Sequence, residues 1–194
     1  MVAGRLLLLL AAAASRDETA ERHRRATAGA APVGYGRRGH RSHGHRPPAW
    51  AAAVPPGACY ERVVADWREM VVFARGPAGQ CRGASTARAA PVLVALHGYG
   101  GGYPDMYVPL VATVVVARGL ALAVPKGVNG SWNGHYCCGD ALAAGLDDLG
   151  ALRTLLVAAR TKLDIALDLV FALGFSNGGM LAADRVETKR FKIP

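Results

Sequence analysis

Short apolar runs separated by mixed sequence dominate the second half of the chain. The runs at 92–96, 120–124 and 169–173 contain no polar residue. Uninterrupted runs of this length are typical of strands that are buried on both faces of a parallel sheet. We therefore predict three parallel strands in this part of the chain.

The segments between these runs have helical periodicity. Residues 105–118 form one candidate helix, and residues 141–162 form a stronger one, in which leucine and alanine recur at spacings of three and four. Alternation of strands and helices predicts an α/β fold, with a mostly parallel sheet flanked by helices and right-handed crossovers.

An antiparallel unit is expected before the first parallel strand. Residues 59–80 contain many apolar positions, of which 68–75 suit a strand, and the turn-rich segment 76–90 follows. This pattern predicts a hairpin at the edge of the main sheet.

The N-terminus has the pattern of a targeting segment. After Arg5, residues 6–14 are five leucines and four alanines, a run much shorter than the roughly 20 residues that span a membrane. We interpret residues 1–15 as a signal peptide with cleavage near Ser15, which predicts secretion and no membrane span. The alternative is a plastid or mitochondrial leader, because the sequence that follows is rich in Arg and Ala.

Residues 16–58 are predicted to form a disordered basic linker, which leaves residues 59–194 as the folded domain. The net charge of the chain is +9, and residues 1–58 carry nine Arg against three acids. The folded part shows no basic stripe interleaved with aromatic residues, so we do not expect nucleic acid as a partner. The cluster His40, His43 and His45 could bind a metal ion, but such runs in flexible segments are usually solvated.

The chain contains four cysteines, Cys59, Cys81, Cys137 and Cys138. Export would place them in an oxidising environment, which favours disulfides. A bridge between two adjacent cysteines is strained, so we predict that Cys59 or Cys81 pairs with one of the other two. None of the four has the spacing of a metal ligand, and we expect no metal and no other cofactor.

A serine stands in the turn after the third apolar run. The sequence Gly174-Phe175-Ser176-Asn177-Gly178 is a G-x-S-x-G motif, and a helical stretch follows it. Between a strand and a helix, this motif lifts a nucleophilic hydroxyl above the sheet, and the helix N-terminus adds positive potential where an oxyanion develops. We interpret Ser176 as a nucleophile; the alternative is a turn that binds phosphate.

A glycine-rich loop follows the first apolar run and reads His97-Gly98-Tyr99-Gly100-Gly101-Gly102. In α/β-hydrolases this loop donates one backbone N–H to the oxyanion, and the residue after the nucleophile donates the other. We expect the oxyanion hole to consist of the N–H of Asn177 and that of Gly98 or Tyr99. His97 is interpreted as structural, because the catalytic histidine of this fold follows the serine in the chain.

Three further motifs lie between the two glycine motifs. They are Gly127-Val128-Asn129-Gly130-Ser131-Trp132-Asn133, Cys137-Cys138-Gly139 and Asp147-Asp148. With these motifs in this order, residues 91–186 resemble the polyhydroxybutyrate depolymerase and feruloyl esterase group of secreted α/β-hydrolases. The resemblance implies hydrolysis of an ester in an extracellular polyester or a plant-wall phenolic conjugate, through an acyl-enzyme on Ser176. Trp132 and Tyr136 then either help to bind the acyl part of the substrate or pack their own loop.

The sequence also departs from the family pattern. After Ser176 the chain has two acids, Asp184 and Glu187, and no histidine, whereas an α/β-hydrolase triad continues from serine to an acid and then to histidine. We therefore expect a domain that is incomplete at its C-terminus. The upstream His135 is an alternative base, because triads are defined by geometry. A secreted polymer-binding module without catalysis, or an inactive fragment, is the alternative to an esterase.

Overall fold

The computed structural model describes residues 48–77, 79–81, 89–101, 104 and 107–188, with the backbone alone at residues 80 and 184–188. The predicted signal peptide at 1–15, the first part of the predicted linker up to residue 47 and the cluster of His40, His43 and His45 lie outside the described residues. None of the described helices is both long enough and apolar enough to cross a membrane.

The described residues form six strands and four α-helices. The strands are β1 (Ala58–Ala65), β2 (Arg68–Arg75), β3 (Gly79–Gln80), β4 (Ala90–Leu96), β5 (Ala121–Pro125) and β6 (Ile165–Gly174). The helices are α1 (Val108–Val111), α2 (Asp140–Ala143), α3 (Asp148–Arg160) and α4 (Asn177–Thr188), and a short 3₁₀-helix covers Ala49–Ala53.

All six strands form one sheet in the order β3-β1-β2-β5-β4-β6. Strand β4 lies between β5 and β6 and is parallel to both. The hairpin of β1 and β2 is antiparallel and joins β5 through β2. A mostly parallel sheet flanked by helices confirms the predicted α/β class, and the antiparallel hairpin is also confirmed.

The sheet separates two apolar clusters. One cluster includes Leu152, Leu155 and Leu156 of α3 and Leu181 of α4, packed on one face of the sheet. The other includes Val108 and Val111 of α1 and lies on the opposite face. Because both faces of the central strands are covered, every residue of β5 is buried.

The third predicted strand is buried on one side only. Val170 packs against the cluster beneath α3 and α4, but Leu169, Phe171 and Leu173 are 42%, 54% and 44% exposed. The expectation of burial on both faces was wrong here, because β6 is the last strand of the described sheet and no described element covers its second face.

Both predicted helices are shorter than expected. The stretch 141–162 divides into α2 and α3, because Gly145 adopts a positive φ of 59° and the chain turns there. Asp147 then starts α3 by accepting a hydrogen bond from the Gly150 N–H at 2.8 Å. In the stretch 105–118, α1 continues as a π-helical segment, Ala112–Ala117.

The ordered fold begins earlier than the predicted domain boundary at residue 59. Trp50 packs edge-on against Tyr60 and Phe73, with ring centroids 5.0 and 5.6 Å apart. Trp50 and Val54 therefore pack against the core, although they precede residue 59.

The predicted cysteine pairing was wrong. The disulfides join Cys59 to Cys81 and Cys137 to Cys138. Residues 59 and 60 of β1 pair with β3, which directly precedes Cys81 and brings the two Cα atoms to 5.0 Å. The other two cysteines lie in the loop after β5, and β2 separates β5 from β1 in the sheet.

Candidate functional site

The strand-turn-helix expected around Ser176 is present. Strand β6 ends at Gly174 and α4 begins at Asn177. Between them Ser176 is exposed and has a φ of 50°, a left-handed conformation that non-glycine residues rarely adopt. Such strain at a turn is characteristic of functional positions.

Both glycines of the motif are required by close backbone contacts. A Cβ atom at Gly174 would lie 2.2 Å from the Gly178 carbonyl oxygen. A Cβ atom at Gly178 would lie 2.4 Å from the His97 carbonyl oxygen and 2.5 Å from that of Leu96. The first turn of α4 therefore packs directly against the end of β4, which only glycine permits.

The glycine loop after β4 lies against the serine turn. A Cβ atom at Gly98 would lie 2.9 Å from Phe175 Cδ1 and 3.4 Å from Ser176 Cβ. The Phe175 N–H donates to the Leu96 carbonyl at 3.0 Å and fixes the turn on the strand. The structure thus brings Gly98 and Ser176 together, as the two motifs predicted, while the neighbouring Tyr99 is 61% exposed.

His97 holds the glycine loop through both ring nitrogens. Its Nε2 accepts from the Gly127 N–H at 3.0 Å, and its Nδ1 lies 2.8 Å from the Gly98 carbonyl oxygen. Burial lowers the pKa of His97, and the hydrogen bond to Gly98 opposes this only in part. A neutral ring with its proton on Nδ1 satisfies both contacts, so this geometry supports the structural interpretation of His97.

Acid is expected to destabilise the fold through His97. Because its folded-state pKa lies below the unfolded value of about 6.5, the unfolded chain takes up the proton first as the pH falls. The neutral ring makes its full contribution to the free energy of unfolding above about pH 6.5. This contribution decreases as the pH falls from there to the folded-state pKa.

Urea unfolding at a series of pH values measures this effect. We expect the free energy of unfolding to decrease below about pH 6.5 in the wild type and to change less in His97→Gln, whatever the absolute stability of the variant. Parallel curves for the two proteins would show that His97 is not the group responsible.

The side chain of Asn177 fastens the loop after β5 to the serine turn. Its Oδ1 accepts from the Trp132 N–H at 2.7 Å, and its Nδ2 donates to the carbonyl oxygens of Trp132 and Cys137 at 3.0 and 2.5 Å. Asn177 is fully buried. Sequence reasoning assigned only the backbone of Asn177 a role and missed this second function of the residue.

The two aromatic residues proposed for substrate binding have opposite environments. Trp132 is 0% exposed, its ring lies 4.9 Å from that of His97, and its Nε1 donates to the His97 carbonyl oxygen at 2.9 Å. This burial favours the packing alternative for Trp132. Tyr136 lies in the same loop and is 77% exposed.

A buried ion pair also holds the loop after β5. Asp148 pairs with Arg68, and their side chains are 0% and 5% exposed. The second carboxylate oxygen of Asp148 accepts from the Asn133 N–H at 2.6 Å. The Arg68 guanidinium lies between two indoles, with Cζ 4.9 Å from the ring centre of Trp67 and 5.7 Å from that of Trp132. An acid in the first turn of a helix is a common stabilising feature, so Asp148 could not be recognised from the sequence as the partner of Arg68.

The sequence offers three candidates for the base or acid of Ser176, namely His135, Asp184 and Glu187. His135 is exposed, has a φ of 64° and lies in the loop after β5. The side chains of Asp184 and Glu187 lie outside the described residues. Both ring nitrogens of the other described histidine near the turn, His97, contact backbone groups.

No family model and no curated protein sequence matches the chain. Solved structures resemble it in part. They include the 2,6-dihydroxy-pseudo-oxynicotine hydrolase, with 24% identity and a TM-score of 0.42 over 68% of this chain and 34% of that one. One of two esterases from Rhizomucor miehei has 16% identity and a TM-score of 0.44, over 72% of this chain and 42% of that one. A ferulic acid esterase has 15% identity and a TM-score of 0.43 over 68% of this chain and 53% of that one, so the chain spans about a third to a half of these proteins.

Proposed function

We propose that this chain carries the nucleophile and the oxyanion hole of a serine carboxylic-ester hydrolase. The observation that carries the proposal is the exposed Ser176 at a φ of 50°, on the N-terminus of α4 and against Gly98. In the proposed reaction the serine oxygen attacks the ester carbonyl and its proton passes to a base. The tetrahedral intermediate then breaks its bond to the alcohol oxygen, which takes up the proton and leaves, and water hydrolyses the resulting acyl-enzyme to the acid and free serine.

The oxyanion is proposed to be held by two backbone N–H groups, that of Asn177 and that of Gly98 or Tyr99. Asn177 is the first residue of α4, where the N–H groups of a helix point outward and the dipole favours negative charge. The hydrogen bonds of the His97 ring and of the Asn177 side chain keep these elements in place before substrate arrives. Preorganised donors of this kind are usually the largest contribution to catalysis of acyl transfer.

The base must come from a residue other than His97. Both ring nitrogens of His97 contact backbone groups and its side chain is buried, so the ring is not available to the Ser176 proton. A serine without a base is a weak nucleophile. Serine hydrolases that lose triad members retain an acceleration of about 10³ to 10⁴ over water from the oxyanion hole and substrate binding, so we expect slow acylation by this chain.

The proposed substrates are esters of an extracellular polyester or of feruloylated polysaccharide. Tyr99 and Tyr136 are exposed near the turn and offer flat apolar surface to an acyl group. Secretion is proposed with this function. The two disulfides support secretion, because such bridges persist in oxidising compartments.

A cysteine in place of Ser176 tests the oxyanion hole without requiring a base. A thiol is partly ionised near neutral pH and attacks activated esters unaided. We expect Ser176→Cys to form a stable acyl adduct with p-nitrophenyl butyrate about 10²-fold faster than Thr161→Cys, as followed by intact-mass spectrometry.

Thr161 is a matched control, because it is an exposed hydroxyl residue at the end of α3, away from the glycine loop. Equal acylation of the two cysteines in folded protein would reject the proposed oxyanion hole. Labelling of the wild type by a fluorophosphonate, lost in Ser176→Ala, would further support a nucleophilic serine.

A second candidate is a secreted module that binds polymer without catalysis. It is favoured by the observation that His97, the buried histidine beside the serine turn, is engaged with backbone groups through both ring nitrogens and cannot serve as the base. Retention on insoluble polymer with no release of acid supports this candidate, whereas retention with ester turnover rejects it.

A further inference from the structure

A cavity of about 420 Å³ lies beside the turn of the β1–β2 hairpin and apart from the proposed ester site. Its aromatic and polar lining comes from two places in the chain. The hairpin contributes Asp66, Trp67 and Arg68, and the start of α3 contributes Asp147 and Thr154.

Trp67 exposes most of its indole, although Arg68 lies over the ring. The pairing of Ala65 with Arg68 makes Asp66 and Trp67 the two residues of the turn, and Asp66 has a φ of 53°. Two-residue turns of this kind favour Asn, Asp and Gly. The indole is nevertheless 65% exposed, and it keeps a large flat apolar surface in water at the cavity.

The cavity combines hydrogen-bond acceptors with one unsatisfied donor. Asp66 and Asp147 supply carboxylate oxygens, and the Thr154 hydroxyl donates to the Gly150 carbonyl at 3.1 Å, which leaves its oxygen as an acceptor. The buried Nε of Arg68 has no partner among the described residues. The charge of Arg68 is neutralised by Asp148 below the cavity.

These groups favour a neutral ligand with many hydroxyls. A hydroxyl can donate a hydrogen bond to a carboxylate and accept one from the unsatisfied N–H of Arg68. A cationic ligand offers no acceptor to the N–H, and an anion would meet two carboxylates. We propose that the cavity binds a sugar ring of an oligosaccharide, stacked on the Trp67 indole with its hydroxyls bonded to Asp66 and Asp147.

The cavity lies at the same edge of the sheet as Ser176. Strand β2 starts beside the carboxyl end of β5, since Met70 pairs with Pro125, and the parallel strands β4 and β6 end at that edge. Contacts between side chains connect the two places: the Arg68 Cζ lies 4.9 Å from the ring centre of Trp67 and 5.7 Å from that of Trp132, whose ring centre lies 4.9 Å from that of His97. Because both places lie at one edge of the sheet, we expect an extended oligosaccharide, and not a single sugar, to span them.

The inference that this chain acts on a polysaccharide-linked ester, and not a polyester, rests on the proposed function. Sugar binding in the cavity does not rest on it. Ser176→Ala is expected to leave sugar affinity unchanged. Sugar binding by a wild-type chain that shows no acylation therefore rejects only the esterase, and acylation of a wild-type chain that binds no sugar rejects only the sugar site.

Calorimetric titration of the full chain with xylohexaose or cellohexaose, and with choline as a cationic probe, tests the site. We expect saturable binding of at least one oligosaccharide and weakening by about tenfold or more in Trp67→Ala. Trp67→Phe keeps a flat ring, so we expect its affinity for the oligosaccharide to lie between those of the wild type and Trp67→Ala. Phe171→Ala is the matched control, because Phe171 is another exposed aromatic residue, 54% exposed on β6 and outside the cavity.

Three results would overturn the sugar site. They are the absence of oligosaccharide binding, equal affinities of the wild type and Trp67→Ala, and choline binding in place of sugar binding. Thermal unfolding of each variant shows whether it is folded at the temperature of the titration. Should Trp67→Ala prove unfolded, the comparison of Trp67→Phe with Phe171→Ala decides.

Discussion

Replacement of Asp148 by alanine is expected to lower the free energy of unfolding by about 3–5 kcal/mol. The substitution leaves the buried guanidinium of Arg68 without its counter-charge and the Asn133 N–H without an acceptor. Both losses act on the loop that Asn177 joins to the serine turn. Urea denaturation followed by circular dichroism measures the change.

Two comparison variants separate the buried charge from the loss of a side chain. Removing both charges in Arg68→Met with Asp148→Leu is expected to recover much of the stability, because no uncompensated charge stays buried. Glu61→Ala breaks the surface pair with Lys162, whose side chain is 46% exposed, and should cost less than about 1 kcal/mol. If Asp148→Ala is no more harmful than Glu61→Ala, the ion pair does not support the loop.

Substitution of Gly178 by alanine is expected to destabilise the chain by about 3 kcal/mol, at the upper end of the range for overpacked sites. The new methyl group would meet the carbonyl oxygens of His97 and Leu96 at 2.4 and 2.5 Å. Neither backbone group can move without displacing the end of β4. We therefore expect the glycine loop to shift and the acylation of a cysteine at position 176 to slow as well.

Gly179→Ala provides the control within the same helical turn. Its nearest contact would be the Gly174 carbonyl oxygen at 3.2 Å, and alanine gains up to about 1 kcal/mol of helix propensity over glycine. The net change is expected to be small. Similar losses in the two variants, measured by urea unfolding, would show that the contact of α4 with β4 is not as tight as described.

The strands could be predicted because burial on a sheet leaves a local pattern. The segment 68–75 coincides with β2. The bounds of the runs at 92–96 and 120–124 agree with those of β4 and β5 to within two residues. The run at 169–173 also became a strand, but its degree of burial depends on what lies next to it. Local sequence does not contain that information.

The interruption between α2 and α3 did have a local signal. A glycine at 145 followed by acids at 147 and 148 is the usual sequence of a helix end and a new helix start. Leucine periodicity continued through the break and masked it. Capping residues therefore indicate a helix boundary even where the spacing of apolar residues continues through it.

The juxtaposition of Ser176 with the glycine loop could be predicted, because both motifs end neighbouring parallel strands. The contacts that hold the site could not. Arg68 and Asp148 are 80 residues apart, and Asn177 and Trp132 are 45 apart, so nothing in either neighbourhood indicates the partner. The prediction of the cysteine pairing was wrong for the same reason, because the pairing depends on which strands are adjacent in the sheet.

Asn177 has one role that the structure shows and one that we propose. Its side-chain amide holds the loop after β5, and its peptide N–H is proposed as a donor to the oxyanion. A displacement of that loop would therefore also displace the residue to which we assign an oxyanion donor. For the proposed ester hydrolase, substitutions of the exposed Tyr136 are thus better suited to altering substrate preference than substitutions of Asn177, because they leave the buried amide in place.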